Sequence, residues 1–172
     1  MTISMYKASV PIFVQYLTSL SAVLDKAAAF AEAKKVDPSV LLNTRLAPDM
    51  FPLVRQVRAA TDHAINGAGR LAGAALPSFS SNEASIPELK ERITKTIDFL
   101  KSLKPGQIDG TEDKEIKFTT PAGAVREFTG QSLLLNNSLP HFYFHCTTAY
   151  DILRHCGVEL GKRDFMGTPA TL

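Results

Sequence analysis

His141 and His145 stand four positions apart in the run Leu139-Pro140-His141-Phe142-Tyr143-Phe144-His145. If that run is helical, both imidazoles project from the same face one turn apart, close enough to share a metal ion. Neutral imidazole offers a nitrogen lone pair to zinc, nickel, copper or iron without a buried charge. Two ligands make an incomplete site. His63, in the middle of another long apolar-periodic segment, is the remaining histidine at comparable depth, and three protein nitrogens would leave a position open to water or substrate. On a helical wheel His63 falls about 100° from the centre of the Val57, Ala60, Ala64 stripe. From the residues alone a histidine at that border is most often a hydrogen-bonded core-edge residue, and a metal ligand is the minority reading.

The other reactive groups are weaker candidates. His155 lies about 15 Å along the helix from His145 and complements the dipole near a helix C-terminus. Cys146 follows His145 and turns to a neighbouring face, where a small buried hydrophobe is its default role. Asp49 and Asp62 are oxygen-ligand candidates, but an N-cap accounts for the first and solvent exposure for the second. No residue is an obvious general base. A Gly-rich phosphate loop, a nucleophile elbow and a paired-cysteine metal motif are all absent from the sequence.

The elements that must position the histidines are helices. The first carries Phe13, Leu17, Leu20, Leu24, Ala27 and Ala31 at three- and four-residue spacing and ends near Lys34 and Lys35. Asp37-Pro38 opens a short helix that stops at Asn43. The second long helix is expected to start at Asp49, with Met50, Phe51 and Pro52 in its first turn and a stripe from Leu53 to Ala75. Gly67, Gly69 and Gly73 then need compensation by close approach of another helix. Ser85 and Glu88 have capping-box spacing and begin a third helix, whose stripe runs from Ile86 to Leu103 before Pro105-Gly106. Between residues 114 and 129 the period becomes two, Pro121-Ala122-Gly123 supplies a turn, and a small β-hairpin is expected. A last helical region spans about Gln131 to Cys156, divided at Pro140 with Ser138 as its cap, with Phe144, Thr148, Ile152 and Leu153 as apolar contacts and Gly157 as terminator. The tail from Gly161 is expected to lie over the surface or fray.

Length and composition agree with one all-α domain over residues 1–172, a four-helix bundle with an inserted hairpin. The 172 residues suffice for one core, and 45% hydrophobic with 21% charged residues excludes a disordered chain. Nineteen basic against 17 acidic residues, scattered along the chain, argue against nucleic acid as partner. Residues 8–24 are uncharged but interrupted by Pro11, Gln15, Thr18, Ser19 and Ser21, too broken for a membrane span or a secretory signal. Two cysteines make no disulfide framework, and the expected compartment is the cytoplasm.

Three stretches carry a resemblance. They are Leu42-Asn43-Thr44-Arg45-Leu46-Ala47-Pro48-Asp49-Met50-Phe51-Pro52-Leu53, Leu139 to His145, and Gly161-Lys162-Arg163-Asp164-Phe165-Met166-Gly167. Together they resemble a bacterial family of unknown function that sits with the DinB-like, or damage-inducible-type, candidate metalloenzymes, unrelated to the similarly named polymerase. The likeness runs from about Met5 to Gly167. It implies an up-down-down-up four-helix bundle, often a homodimer, in which one histidine of the second helix and an H-x3-H pair of the last hold a divalent metal. His63, His141 and His145 match those positions, with Zn²⁺ or Ni²⁺ the expected ions. Members of the superfamily transfer or isomerise groups with low-molecular-weight thiols such as bacillithiol, mycothiol or glutathione, while others have no established activity. The inserted hairpin departs from the simplest members. A metal-dependent thiol transferase or hydrolase-like enzyme is therefore one expectation, and a non-catalytic dimeric interaction module with a structural or empty histidine cluster is the other.

Overall fold

A computed structural model describes residues 3–120 and 123–169. Four long helices form the body: α1 (Val10–Lys34), α3 (Leu53–Ala72), α4 (Ile86–Ser102) and α7 (Leu139–His155). Short elements connect them: α2 (Pro38–Asn43), α5 (Pro105–Ile108), the hairpin strands β1 (Glu115–Thr119) and β2 (Val125–Thr129), and α6 (Gly130–Ser132) with a π-turn at Leu133–Ser138. The helix α8 (Lys162–Met166) follows. Helix directions follow from side-chain partners. Phe13 packs edge-on against Phe142 and Phe30 lies beside Gly157, so α1 and α7 run parallel. Gln56 meets His145 while Gly67 meets Ser138, so α3 opposes α7. Thr61 bonds to Arg92 and Gly69 lies against Phe99, so α4 runs with α3. The order is up-down-down-up, with the parallel α3–α4 step made possible by the 73–85 connection.

Local chemistry explains most of the boundaries. Asp37 Oδ1 accepts from the Ser39 amide at 2.8 Å and opens α2 ahead of Pro38. At α4, Ser85 Oγ accepts from the Glu88 amide while Glu88 Oε2 accepts from the Ser85 amide, a complete capping box. The buried stripes of the four helices make one core, which includes Phe13, Leu17, Leu24, Leu53, Leu89, Ile93, Leu100 and Phe142.

Four expectations are corrected. The second long helix does not begin at Asp49. A turn precedes Pro52, which is the extended N-cap, and the helix starts at Leu53. The residue before a proline is disfavoured in the α region, so Phe51 has no easy place in a helical first turn. That helix also stops before Ala75, because Gly73 takes the left-handed conformation (φ 64°) and caps it. Pro140 does not divide the last helical region. Ser138 is itself helical and makes no side-chain cap bond, and the chain stays helical from Gly130 to His155. The wide turn over Leu133–Ser138, closed by Leu139 N–H donating to the Leu134 carbonyl, absorbs the proline whose ring would crowd a regular α-turn. Phe144 is 54% exposed, and Phe142 and Cys146 fill the core in its place.

Of the two arrangements expected for the segment from Gly161, its described part takes the first and lies over the surface. Gln15 Nε2 donates to the Met166 carbonyl at 2.8 Å, Lys26 pairs with Asp164 at 2.7 Å, and Phe165 packs against Tyr16, which seats α8 on α1. The hairpin is antiparallel with Phe118 opposite Arg126 and Ile116 opposite Phe128. Its proposed turn lies partly outside the described residues, at Pro121 and Ala122. Gly123, at φ 83°, donates its amide to the Thr120 carbonyl at the described end of that turn.

Candidate metal centre

The bundle brings His63 of α3 and His141 with His145 of α7 together. Their ligand-capable nitrogens all lie within 4.8 Å of one another. Seven-residue spacing, about two turns, puts Gln56 on the same face of α3 as His63. The antiparallel packing then sets Gln56 against His145 and His63 between the two α7 histidines. His145 is buried, His63 half-buried and His141 exposed, so the cluster grades from core to solvent.

The buried end is fixed by hydrogen bonds. His145 Nδ1 lies 2.7 Å from Gln56 Oε1, and the Gln56 amide nitrogen donates to the Phe51 carbonyl at 3.0 Å. With the amide nitrogen committed to that carbonyl, Oε1 must face the ring, so Nδ1 carries the proton and Nε2 keeps its lone pair for a ligand. The Phe51 ring lies parallel to His145 with centroids 6.2 Å apart, and the Arg55 guanidinium covers the other part of Phe51 at 3.7 Å. The loop before α3, with Leu53 N–H donating to the Thr44 carbonyl and Arg45 reaching the Met50 carbonyl, holds Phe51 in place.

Burial holds the His63 imidazole down at about 3 and that of His145 at about 4, with the neighbouring imidazoles adding to the effect. Both rings are therefore neutral near pH 7, the form a metal requires. The His63 and His141 rings are stacked, 4.5 Å between centroids and 2° between planes. In a stack the lone pairs lie in parallel planes, so holding one ion requires a ring to turn. His141, which is exposed, is the ring with room to do so. The donor set, the fixed tautomer and the neutral rings fit a divalent ion.

The cluster opens on a cleft of about 650 Å³ between α3, the hairpin and the helical run before α7, lined by His63, His141, Asn66, Arg70, Phe118 and Arg126 among others. The remaining sequence candidates lie apart from the cluster. Asp62 faces the cleft but pairs with Arg92, and Asp49 sits in the loop turn. Burial pushes the Cys146 thiol far above its usual range, which leaves it inert packing. His155 closes the last turn of α7. Gln56, Phe51 and the cleft arginines were not foreseen. A glutamine set within the Leu53, Val57, Ala60 stripe, one heptad before His63, is the signal that points to Gln56.

These features define a helical-bundle protein with a three-histidine cluster at the mouth of a cleft. A family model described as a domain of unknown function, DUF1993, matches residues 5–166, and the chain belongs to that family. Among solved structures, the crystal structure of a DinB family member protein from Shewanella denitrificans, at 1.83 Å resolution, is similar over 97% of this chain and 94% of its own. The two are 40% identical, with a TM-score of 0.87. No curated protein matches. Among the described residues no helix is long and apolar enough to cross a membrane.

Proposed function

We propose that this chain is a divalent-metal protein in which His63, His141 and His145 bind one ion, Zn²⁺ or Ni²⁺, and present it to the cleft as part of an enzyme. The observation that carries this reading is the convergence of three imidazole rings, their ligand-capable nitrogens within 4.8 Å of one another, beside a cavity of substrate size. When bound, the ion would supply Lewis acidity, lowering the pKa of a thiol or water held against substrate. His145 acts as the fixed ligand, its ring oriented by Gln56. His141 acts as the adjustable ligand at the solvent side. Phe51 lies over the His145 side of the cluster, and the hairpin walls the cleft on the other side. The reaction class that suits these parts is thiol transfer or hydrolysis, by a cytoplasmic homodimer.

The stacking of His63 on His141 favours a second reading, a non-catalytic interaction module whose histidines pack as aromatic rings. Elemental analysis of protein purified without an affinity tag separates the two. About one equivalent of metal after extensive dialysis, lost in the H141A/H145A double variant, supports the metal site. Metal content equal in the variant and the parent overturns it. A thiol-consumption screen of the loaded protein then tests the enzyme reading, and metal binding with no turnover of any thiol or ester favours the module.

A further inference from the structure

The cleft beside the histidines carries an uncompensated positive end. Arg70 is half-buried, with its guanidinium lying over the Phe118 ring at 4.0 Å and its Nε donating to Asn66 Oδ1 at 3.1 Å. Among the described residues its two amino groups have no hydrogen-bond partner, and no carboxylate pairs with it or with Arg126. Arg126 reaches the same cleft from β2, directly across the hairpin from Phe118. The acidic lining residue, Asp62, is already engaged by Arg92. Asn66 and Asn137 add amide groups, while Phe118 and Leu133 supply apolar wall.

A guanidinium whose amino groups have no protein acceptor is open to a ligand, and its planar fork matches a carboxylate or a phosphate. Stacking on Phe118 fixes the plane of that fork. Arg70 follows His63 by seven residues on one helix, so the charged end and the histidines are separated by about 10 Å along the cleft wall.

We infer that the cleft binds a small organic anion, its carboxylate or phosphate held by Arg70 and Arg126 and its apolar body on Phe118 and Leu133, with the far end about 10 Å away at the histidines. Only the chemistry at that far end rests on the metal reading. The anion subsite belongs to the protein with or without an ion.

The test is titration of ¹⁵N-labelled full-length protein, metal-free and metal-loaded, with succinate, inorganic phosphate and the uncharged succinamide, followed by NMR. The expected result is saturable shifts at Asn66, Phe118 and Asn137 with succinate or phosphate and none with succinamide. Whichever anion binds more tightly identifies the group. R70Q and R126Q should each weaken binding about tenfold, the size of a lost charge-assisted hydrogen bond. R126Q changes an exposed strand residue and keeps the test decisive if R70Q disturbs the hairpin. In metal-free H141A/H145A the anion should still bind, which separates this proposal from the metal site. Absence of shifts with both anions, equal binding of succinamide, or unchanged affinity in R126Q would overturn it.

Discussion

His145 Nδ1 and Gln56 Oε1 lie 2.7 Å apart across the α3–α7 interface, with the other end of the glutamine amide tied to the Phe51 carbonyl. This chain of contacts links the loop before α3 to the deepest histidine and sets which ring nitrogen is free. Groups that orient a metal-binding histidine in this way commonly contribute 10- to 100-fold in affinity, roughly. Gln56→Leu should weaken Zn²⁺ binding by about that factor, measured by competition with a chromophoric chelator. It should also destabilise the metal-free protein by about 1–3 kcal/mol, because a buried N–H loses its acceptor. Unchanged affinity in a folded Gln56→Leu protein would show that the contact has no part in ligand geometry.

Acid should unfold the metal-free protein through the same cluster. The ordinary histidine value is 6.5, and burial lowers His63 to about 3 and His145 to about 4 in the folded chain. Between those limits the unfolded state binds more protons than the folded one, so stability rises with pH. The contribution of the two rings is complete above about 6.5 and is lost progressively as pH falls through 4 and then 3. Denaturant midpoints of parent and H145Q protein, compared from pH 7.5 to 4, should converge as pH falls. Parallel curves would show that His145 titrates no differently on folding.

Close helix approach depends on particular glycines. A Cβ on Gly67 would stand 2.8 Å from Ser138 Cβ, and one on Gly130 would stand 1.9 Å from the Thr111 carbonyl oxygen, whereas one on Gly106 meets nothing within 4 Å. Gly67→Ala should cost about 1–3 kcal/mol by overpacking, since Ser138 belongs to a helix that must shift with it. Gly130→Ala should cost more, because its obstacle is backbone. Gly106→Ala should be close to neutral. Urea midpoints for the three variants check the order, and a Gly67→Ala midpoint equal to that of Gly106→Ala would contradict it.

Much of this arrangement was legible along the chain because it is local. The Asp37-Pro38 and Ser85–Glu88 caps are sealed within four residues, and the His141–His145 spacing needs only a helix to put both rings on one face. Whether His63 comes near them is a long-range matter that helical periodicity leaves open, and it is the packing of α3 against α7 that brings its ring to theirs. Pro140 misleads because a proline is read as a break by local rules, and only the wider turn ahead of it keeps the helix continuous. Asp49 misleads in the opposite sense: its side chain suits a cap, but the Phe51-Pro52 pair delays the helix. The docking of α8 on α1 depends on partners some 150 residues apart, Gln15 with Met166, which no local pattern announces.

Metal should stabilise the fold in a way that depends on the exposed ligand. A ligand bound only by the native state at 100 times its Kd adds about 2.7 kcal/mol, which for a chain of this size raises Tm by roughly 5–10 °C. Zn²⁺ or Ni²⁺ in that excess should produce such a rise in the parent protein, and a chelator should reverse it. His141 is solvent-exposed and stacks on His63, so H141A removes a ligand while leaving the core intact. Its melting curve without metal should match the parent closely, and most of the metal-induced rise should vanish. A full rise in H141A would place the stabilising ion elsewhere on the protein, while a parent curve indifferent to both ions would leave the stacked imidazoles as packing alone.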